Sequence, residues 1–207
     1  MNLMHLARAE RSDLATLLRG LTPQQWEAPS LCADWRVRDV VAHMLSYEEL
    51  DTLGLARRFA RGRMLFDRTN AVGVADYADH SPQQLLELLE RSQEPRGLTA
   101  GFGGRIALVD GMIHQQDIRR PLGILRDIPA ERLAPALDFA RTAPTIGAFW
   151  RIRGLRLTAT DLDWAAGRGT DVHGTAEALL LALAGRRGVV EELSGPGQAE
   201  LNRRIGA

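Results

Sequence analysis

Two segments far apart in the 207-residue chain carry side chains that bind cations and move protons. One is Trp35-Arg-Val-Arg-Asp39-Val-Val-Ala-His43, the other Asp110-Gly-Met-Ile-His114-Gln-Gln-Asp117. Asp110, His114 and Asp117 stand at i, i+4 and i+7, within one helical face. Ile106 and Ile113 share that face, so polar groups sit where apolar packing is expected. Imidazoles and carboxylates gathered on inward faces of neighbouring helices are how a bundle builds a metal site. Two imidazoles and one carboxylate with an open fourth position form a catalytic zinc pattern, and the same donors hold Fe(II).

His43 alone would read as a core histidine with one hydrogen bond. The i, i+4 pair Asp110 and His114 changes that, because it can aim two side chains at a point that a facing helix reaches with a third. Asp117 competes with Asp110 for the ligand role, or else orients an imidazole from behind. Asp39, four residues before His43, has the same choice between orienting that ring and pairing with Arg36 or Arg38. His5 reads as solvated and His80 as a loop residue, while His173 lies on a short strand. Cys32 reads as a half-buried thiol with no identifiable base beside it, and so not as a nucleophile.

The 26 basic and 26 acidic residues cancel, and neither sign forms a long run, which argues against nucleic acid or an anionic membrane as partner. Every basic residue is Arg, so Schiff-base and lysine general-base chemistry are excluded. A single cysteine excludes an internal disulfide and a cysteine-rich zinc site. No signal-like start and no apolar stretch of about 20 residues is present, so a cytoplasmic protein with no membrane partner is expected.

Helical periodicity then supplies the supports. A first helix is expected from Leu3 to Leu18, ended by Gly20, and a long second one from an Asp34 N-cap through Val37, Val40, Val41 and Met44 to the Arg57–Arg63 region. Ser81-Pro82 starts a third, Arg105 to Arg120 carries the second motif, and Ala130 to Ala143 follows. Gly97 to Gly104 is a glycine-rich loop without dinucleotide spacing. Leu155 to Thr160 alternates at period two, Gly167-Arg-Gly169 turns, and Val172-His173 offers a return strand. Thr175 caps an apolar helix closed by Gly185-Arg186, and one or two short helices end the chain. The expected fold is mainly α: a bundle of four helices, up to five, over residues 1–150, with a small α+β appendage over 151–207.

The run Trp26 to His43, with Pro29-Ser30-Leu31-Cys32-Ala33-Asp34-Trp35 inside it, resembles the amino-terminal segment of the mycothiol-dependent maleylpyruvate isomerase family, within the DinB/YfiT-like metalloprotein superfamily. Asp110-x-x-x-His114-x-x-Asp117-Ile118, running on to Pro121-Leu122-Gly123, is similar to that family's second signature. The resemblance implies a DinB-like bundle with a sterol-carrier-like appendage, and a divalent metal, usually zinc, on His43, Asp110 and His114. The isomerases usually carry glutamate where this chain has Asp110, shorter by one methylene. The resemblance further implies mycothiol as a thiol cosubstrate on the open metal position, adding to a conjugated double bond and leaving after rotation. Asp117 and Arg186 are the remaining catalytic candidates. Arg186 stands where the family carries an Arg for an anionic substrate, and its competing role is to satisfy the last carbonyls of its helix.

Three functions compete. The first is a metal-dependent thiol transferase or isomerase acting on a small-molecule substrate. The second is a metal-dependent hydrolase activating water at the same open position. The third is a non-catalytic small-ligand binding protein with a buried His/Asp cluster. Exposed apolar helix faces in such bundles pair, so a homodimer is also an expectation.

Overall fold

The computed structural model describes residues 2–48 and 50–206. The chain divides into two compact units, Met1–Arg126 and Asp127–Ala207. In the first, α1 (Met4–Arg19), α3 (Val37–Leu45), α6 (Pro82–Arg91) and α7 (Arg105–Arg119) form the bundle, and the single turn α2 (Pro23–Trp26) touches α3. Helix α1 touches α6 and α7, and α3 touches the same two, which closes a four-helix ring. Leu14, Leu18, Val37, Val40, Val41 and Leu85 are fully or almost fully buried within it.

Helix α7 is buried almost all round, from Ala107 to Ile118 with only Asp110 partly exposed, so its polar residues must be satisfied internally. Gly111 lets α1 come close: a Cβ there would lie 3.0 Å from Cγ of Glu10. Glu10 is itself wholly buried, accepting from Arg126 at 2.6 and 2.7 Å and from Nε2 of Gln115 at 2.8 Å. A second buried pair, Arg11 and Glu48, is joined by Thr99, whose hydroxyl donates to Glu48 at 2.6 Å. Both networks fix α1 against the segments it touches.

The expected Asp34 cap is corrected by the structure. Asp34 is a left-handed turn residue at φ 65°, and α3 starts from Arg36. The Arg36 amide and guanidinium both donate to Asp39 at 2.9 Å, so Asp39 closes the cap and does not orient His43. The long second helix is likewise two elements. The chain turns after Leu45 where Glu48 points inward to Arg11, and α4 (Thr52–Arg61) restarts with Asp51 accepting from the Gly54 amide at 2.6 Å. Helix α5 (Phe66–Ala75), which periodicity does not announce, packs on both α3 and α4. Ser81 caps α6 as expected, in a capping box with Gln84.

In the second unit, α8 (Ala130–Ala140), which the sequence groups with residues 1–150, packs against α10 (Ala176–Leu183), and the single turn α9 (Ala148–Arg151) lies between them in the chain. The sheet has the order β2-β1-β3, built from β1 (Leu155–Ala159), β2 (Ala165–Gly167) and β3 (Thr170–Gly174). The return strand is β2, antiparallel to β1; Val172 and His173 belong to β3, which is parallel to β1. The crossing between β2 and β3 requires glycine. A Cβ on Gly167 would meet the Leu155 carbonyl at 2.3 Å, and one on Gly169 the Gly154 carbonyl at 2.0 Å. Leu179 to Leu183 of α10 are wholly buried, and the chain ends in a 3-10 turn (Val189–Glu192) and α11 (Gln198–Ile205). The fold is thus mainly helical with a small C-terminal three-stranded sheet. No helix among the described residues is long and apolar enough to cross a membrane.

Candidate metal centre

Because α3 and α7 are neighbours in the bundle, His43 faces the Asp110 and His114 rows directly. Oδ1 of Asp110 lies 3.5 Å from Nε2 of His114 and 3.8 Å from Nε2 of His43, and the three donor atoms all fall within 4.8 Å of one another. The imidazole centroids are 4.9 Å apart with their planes at 77°. Donors around a tetrahedral ion with bonds of about 2.0–2.1 Å stand about 3.3–3.4 Å apart, so this spacing fits a divalent cation after small adjustments. The histidine side chains are 9% and 10% exposed against 31% for Asp110, which puts the approach to the site on the carboxylate side.

The same residues couple electrostatically without a cation. Burial would raise Asp110, but the charge of His114 and hydrogen bonds from His114 and His43 hold it far below the usual carboxylate range. Burial would lower His114, yet Asp110 by charge and hydrogen bond, then Asp117 and Cys32 by hydrogen bonds, lift it well above its ordinary value. A cation would take over the position that the imidazolium charge holds.

Aromatic rings wall the site. Trp35 packs on His43 at 5.0 Å between centroids and Tyr47 meets it edge-on at 5.8 Å. The Tyr47 hydroxyl donates to Asn70 at 2.6 Å, and the Arg58 guanidinium lies 5.2 Å over its ring. Burial pushes this hydroxyl's pKa up, with Arg58 opposing and Asp110 adding to the shift. Phe102 and Trp150, by contrast, stand 71% and 68% exposed.

Asp117 lies behind His114, wholly buried, with Oδ2 accepting from Nδ1 at 2.8 Å. That contact leaves Nε2 to face His43 and Asp110. Cys32 corrects an expectation, since a base does stand beside it: its thiol donates to the same Oδ2 at 3.1 Å and lies 3.8 Å from Nδ1 of His114. The loop is built to hold it there. The Leu31 amide donates to the Asp117 carbonyl at 3.0 Å, and Ser30 Oγ accepts from the Cys32 amide at 3.1 Å. No local pattern announces this, because the partners are 85 residues apart.

Arg186 lies in the second unit, half-buried, where Nη1 donates to the Ala184 carbonyl at 3.3 Å. Arg151 is lowered from the ordinary arginine value by burial and then by the Arg186 charge, so the two guanidiniums act on one another. His5 is exposed, the His80 ring packs on Tyr77, and the His173 backbone pairs with Ser194.

The sequence model of the mycothiol maleylpyruvate isomerase N-terminal domain matches residues 7–97, a span that includes His43 and stops before α7. Two solved structures share the fold: the mycothiol-dependent maleylpyruvate isomerase, at TM-score 0.62, and a histidine-to-alanine mutant of it, at 0.61. Each is 15% identical in sequence, with 94% of this chain and 92% of the other covered. Among curated proteins none matches by sequence. Residues 7–97 are thus similar to the mycothiol maleylpyruvate isomerase N-terminal domain, and nearly the whole chain shares the fold of the solved isomerase.

Proposed function

We propose that the protein is a divalent-metal enzyme that uses a low-molecular-weight thiol, of the mycothiol type, to isomerise or transfer a group on a small molecule. One observation carries this: His43, Asp110 and His114 present two imidazole nitrogens and a carboxylate oxygen to one point from two adjacent helices. The name of the domain that residues 7–97 resemble, and that of the solved isomerase sharing the fold, support the thiol class.

In this reading His43, Asp110 and His114 hold the cation, with zinc the first choice for the N, N, O donor set. When bound, such a cation favours the thiolate form of a ligand thiol at neutral pH. The chain has no lysine and its one thiol is engaged with Asp117, so an external nucleophile suits the site. Asp117 fixes the His114 ring and tautomer, and Trp35 and Tyr47 limit water beside His43. Metal analysis of protein purified without an affinity tag tests the centre. About one divalent ion per chain is expected, lost together in His43→Ala and His114→Ala; a metal-free wild-type protein that cannot be loaded would leave only a polar cluster.

A further inference from the structure

His114 presents both of its ring nitrogens to a set of donor groups. Nε2 faces His43 and Asp110, while Nδ1 faces Oδ2 of Asp117 at 2.8 Å and Sγ of Cys32 at 3.8 Å. Sulfur and carboxylate oxygen are 3.1 Å apart. These three edges describe a triangle small enough for one ion at ordinary bond lengths, about 2.3 Å to sulfur and 2.0–2.2 Å to nitrogen and oxygen, to touch every corner. Asp117 is wholly buried and His114 nearly so, which separates the group from the solvated acidic clusters common on protein surfaces. Cys32, only half-buried, gives the side from which an ion can enter.

We propose that Cys32, His114 and Asp117 form a second cation site, on the opposite edge of the His114 ring, selective for thiophilic divalent metals and inhibitory when filled. The selectivity follows from the donors. A thiolate favours soft cations such as cadmium, whereas the front set of two imidazoles and a carboxylate has no sulfur. Binding replaces two hydrogen-bond protons, from the thiol and from Nδ1, and both leave to solvent. Inhibition follows because Asp117 can no longer accept from Nδ1 and orient Nε2 toward the front donors. Cation binding here does not need the front centre to hold an ion; the inhibitory effect alone rests on the proposed function.

Cadmium titration of the metal-stripped full-length protein, followed by the ultraviolet thiolate-to-cadmium charge-transfer band, tests the proposal. With one cysteine in the chain, any such band reports Cys32. The expected result is a band saturating at one equivalent in the wild type and in His43→Ala, where the front centre is dismantled. Cys32→Ala should lose the band, and Asp117→Asn should weaken its cadmium affinity at least about tenfold, the lower end of what removal of even an outer-sphere partner costs. Cadmium bound by the wild type without the band would overturn the proposal. So would a band of unchanged affinity in Asp117→Asn, which would make Cys32 an isolated thiol. The wild-type titration decides the first point even if a variant fails to fold.

Discussion

Nδ1 of His114 donates to Oδ2 of a wholly buried Asp117 at 2.8 Å, so the ring that faces Asp110 with one nitrogen is anchored by the other. Anchors of this kind are worth roughly 10–100-fold in metal affinity. Asp117→Asn should therefore lower zinc affinity within that range while leaving binding measurable by chelator competition. His114→Ala should abolish it. Equal loss in both variants would move Asp117 from anchor to ligand.

Asp110 sits 3.5 and 3.8 Å from the two Nε2 atoms, and its carboxylate charge is what a cation would require. Asp110→Asn should eliminate metal binding and thiol-dependent turnover together. Asp110→Glu, one methylene longer, should retain the metal. Metal content by elemental analysis separates these outcomes, and an Asn variant that stays fully loaded would remove Asp110 from the ligand set.

The metal-free protein should show the His114 imidazolium persisting above the ordinary histidine range of about 6.5, because Asp110 and Asp117 hold it. A raised folded-state value stabilises the fold below the unfolded pKa, and that contribution is lost as pH rises through the folded one. Asp110 acts oppositely: its contribution is present above its unfolded value of about 3.9 and is lost only as pH falls through its depressed folded value. Metal binding must then expel the His114 proton, so apparent affinity should increase with pH. Imidazole nitrogen NMR of the metal-free chain checks this, and a neutral His114 at pH 6 would contradict it.

Arg126 is 5% exposed and gives Glu10 two hydrogen bonds in the wall between α1 and α7. Removing one partner of a buried pair costs about 3–5 kcal/mol because the other charge stays buried. Arg126→Ala should lose that much in chemical denaturation. A loss below about 1 kcal/mol would mean that water reaches Glu10.

Arg186→Ala tests the anion role directly. The expected outcome is a higher KM for an anionic substrate with metal content unchanged. Unaltered kinetics would leave Arg186 as a helix terminator bonded to the Ala184 carbonyl.

The grouping of Asp110, His114 and Asp117 is legible in sequence because they lie on one helix, where spacing alone fixes a shared face. The helix carrying them, the Ser81 and Thr175 caps and the alternation of β1 are legible for the same local reason. Asp34 misleads because a short acid before an apolar run is a generic cap signal, and only the Arg36–Asp39 bonds reveal the true start. The break after Leu45 has no proline or glycine to mark it; it is set by the distant Arg11 and Thr99, which draw Glu48 inward. Helix α5 is mostly exposed, so it lacks the apolar stripe that periodicity detects. Cys32 is invisible as a site residue because its partners come from α7, across the bundle.

The most direct test of the central claim is metal-edge X-ray absorption on the zinc-loaded protein titrated with mycothiol, run in parallel on Cys32→Ala so that only external sulfur is counted. Nitrogen and oxygen neighbours are expected at about 2.0–2.2 Å before addition, with one sulfur at about 2.3 Å entering the coordination sphere as the thiol saturates. A coordination sphere that stays free of sulfur at saturating mycothiol would contradict the claim.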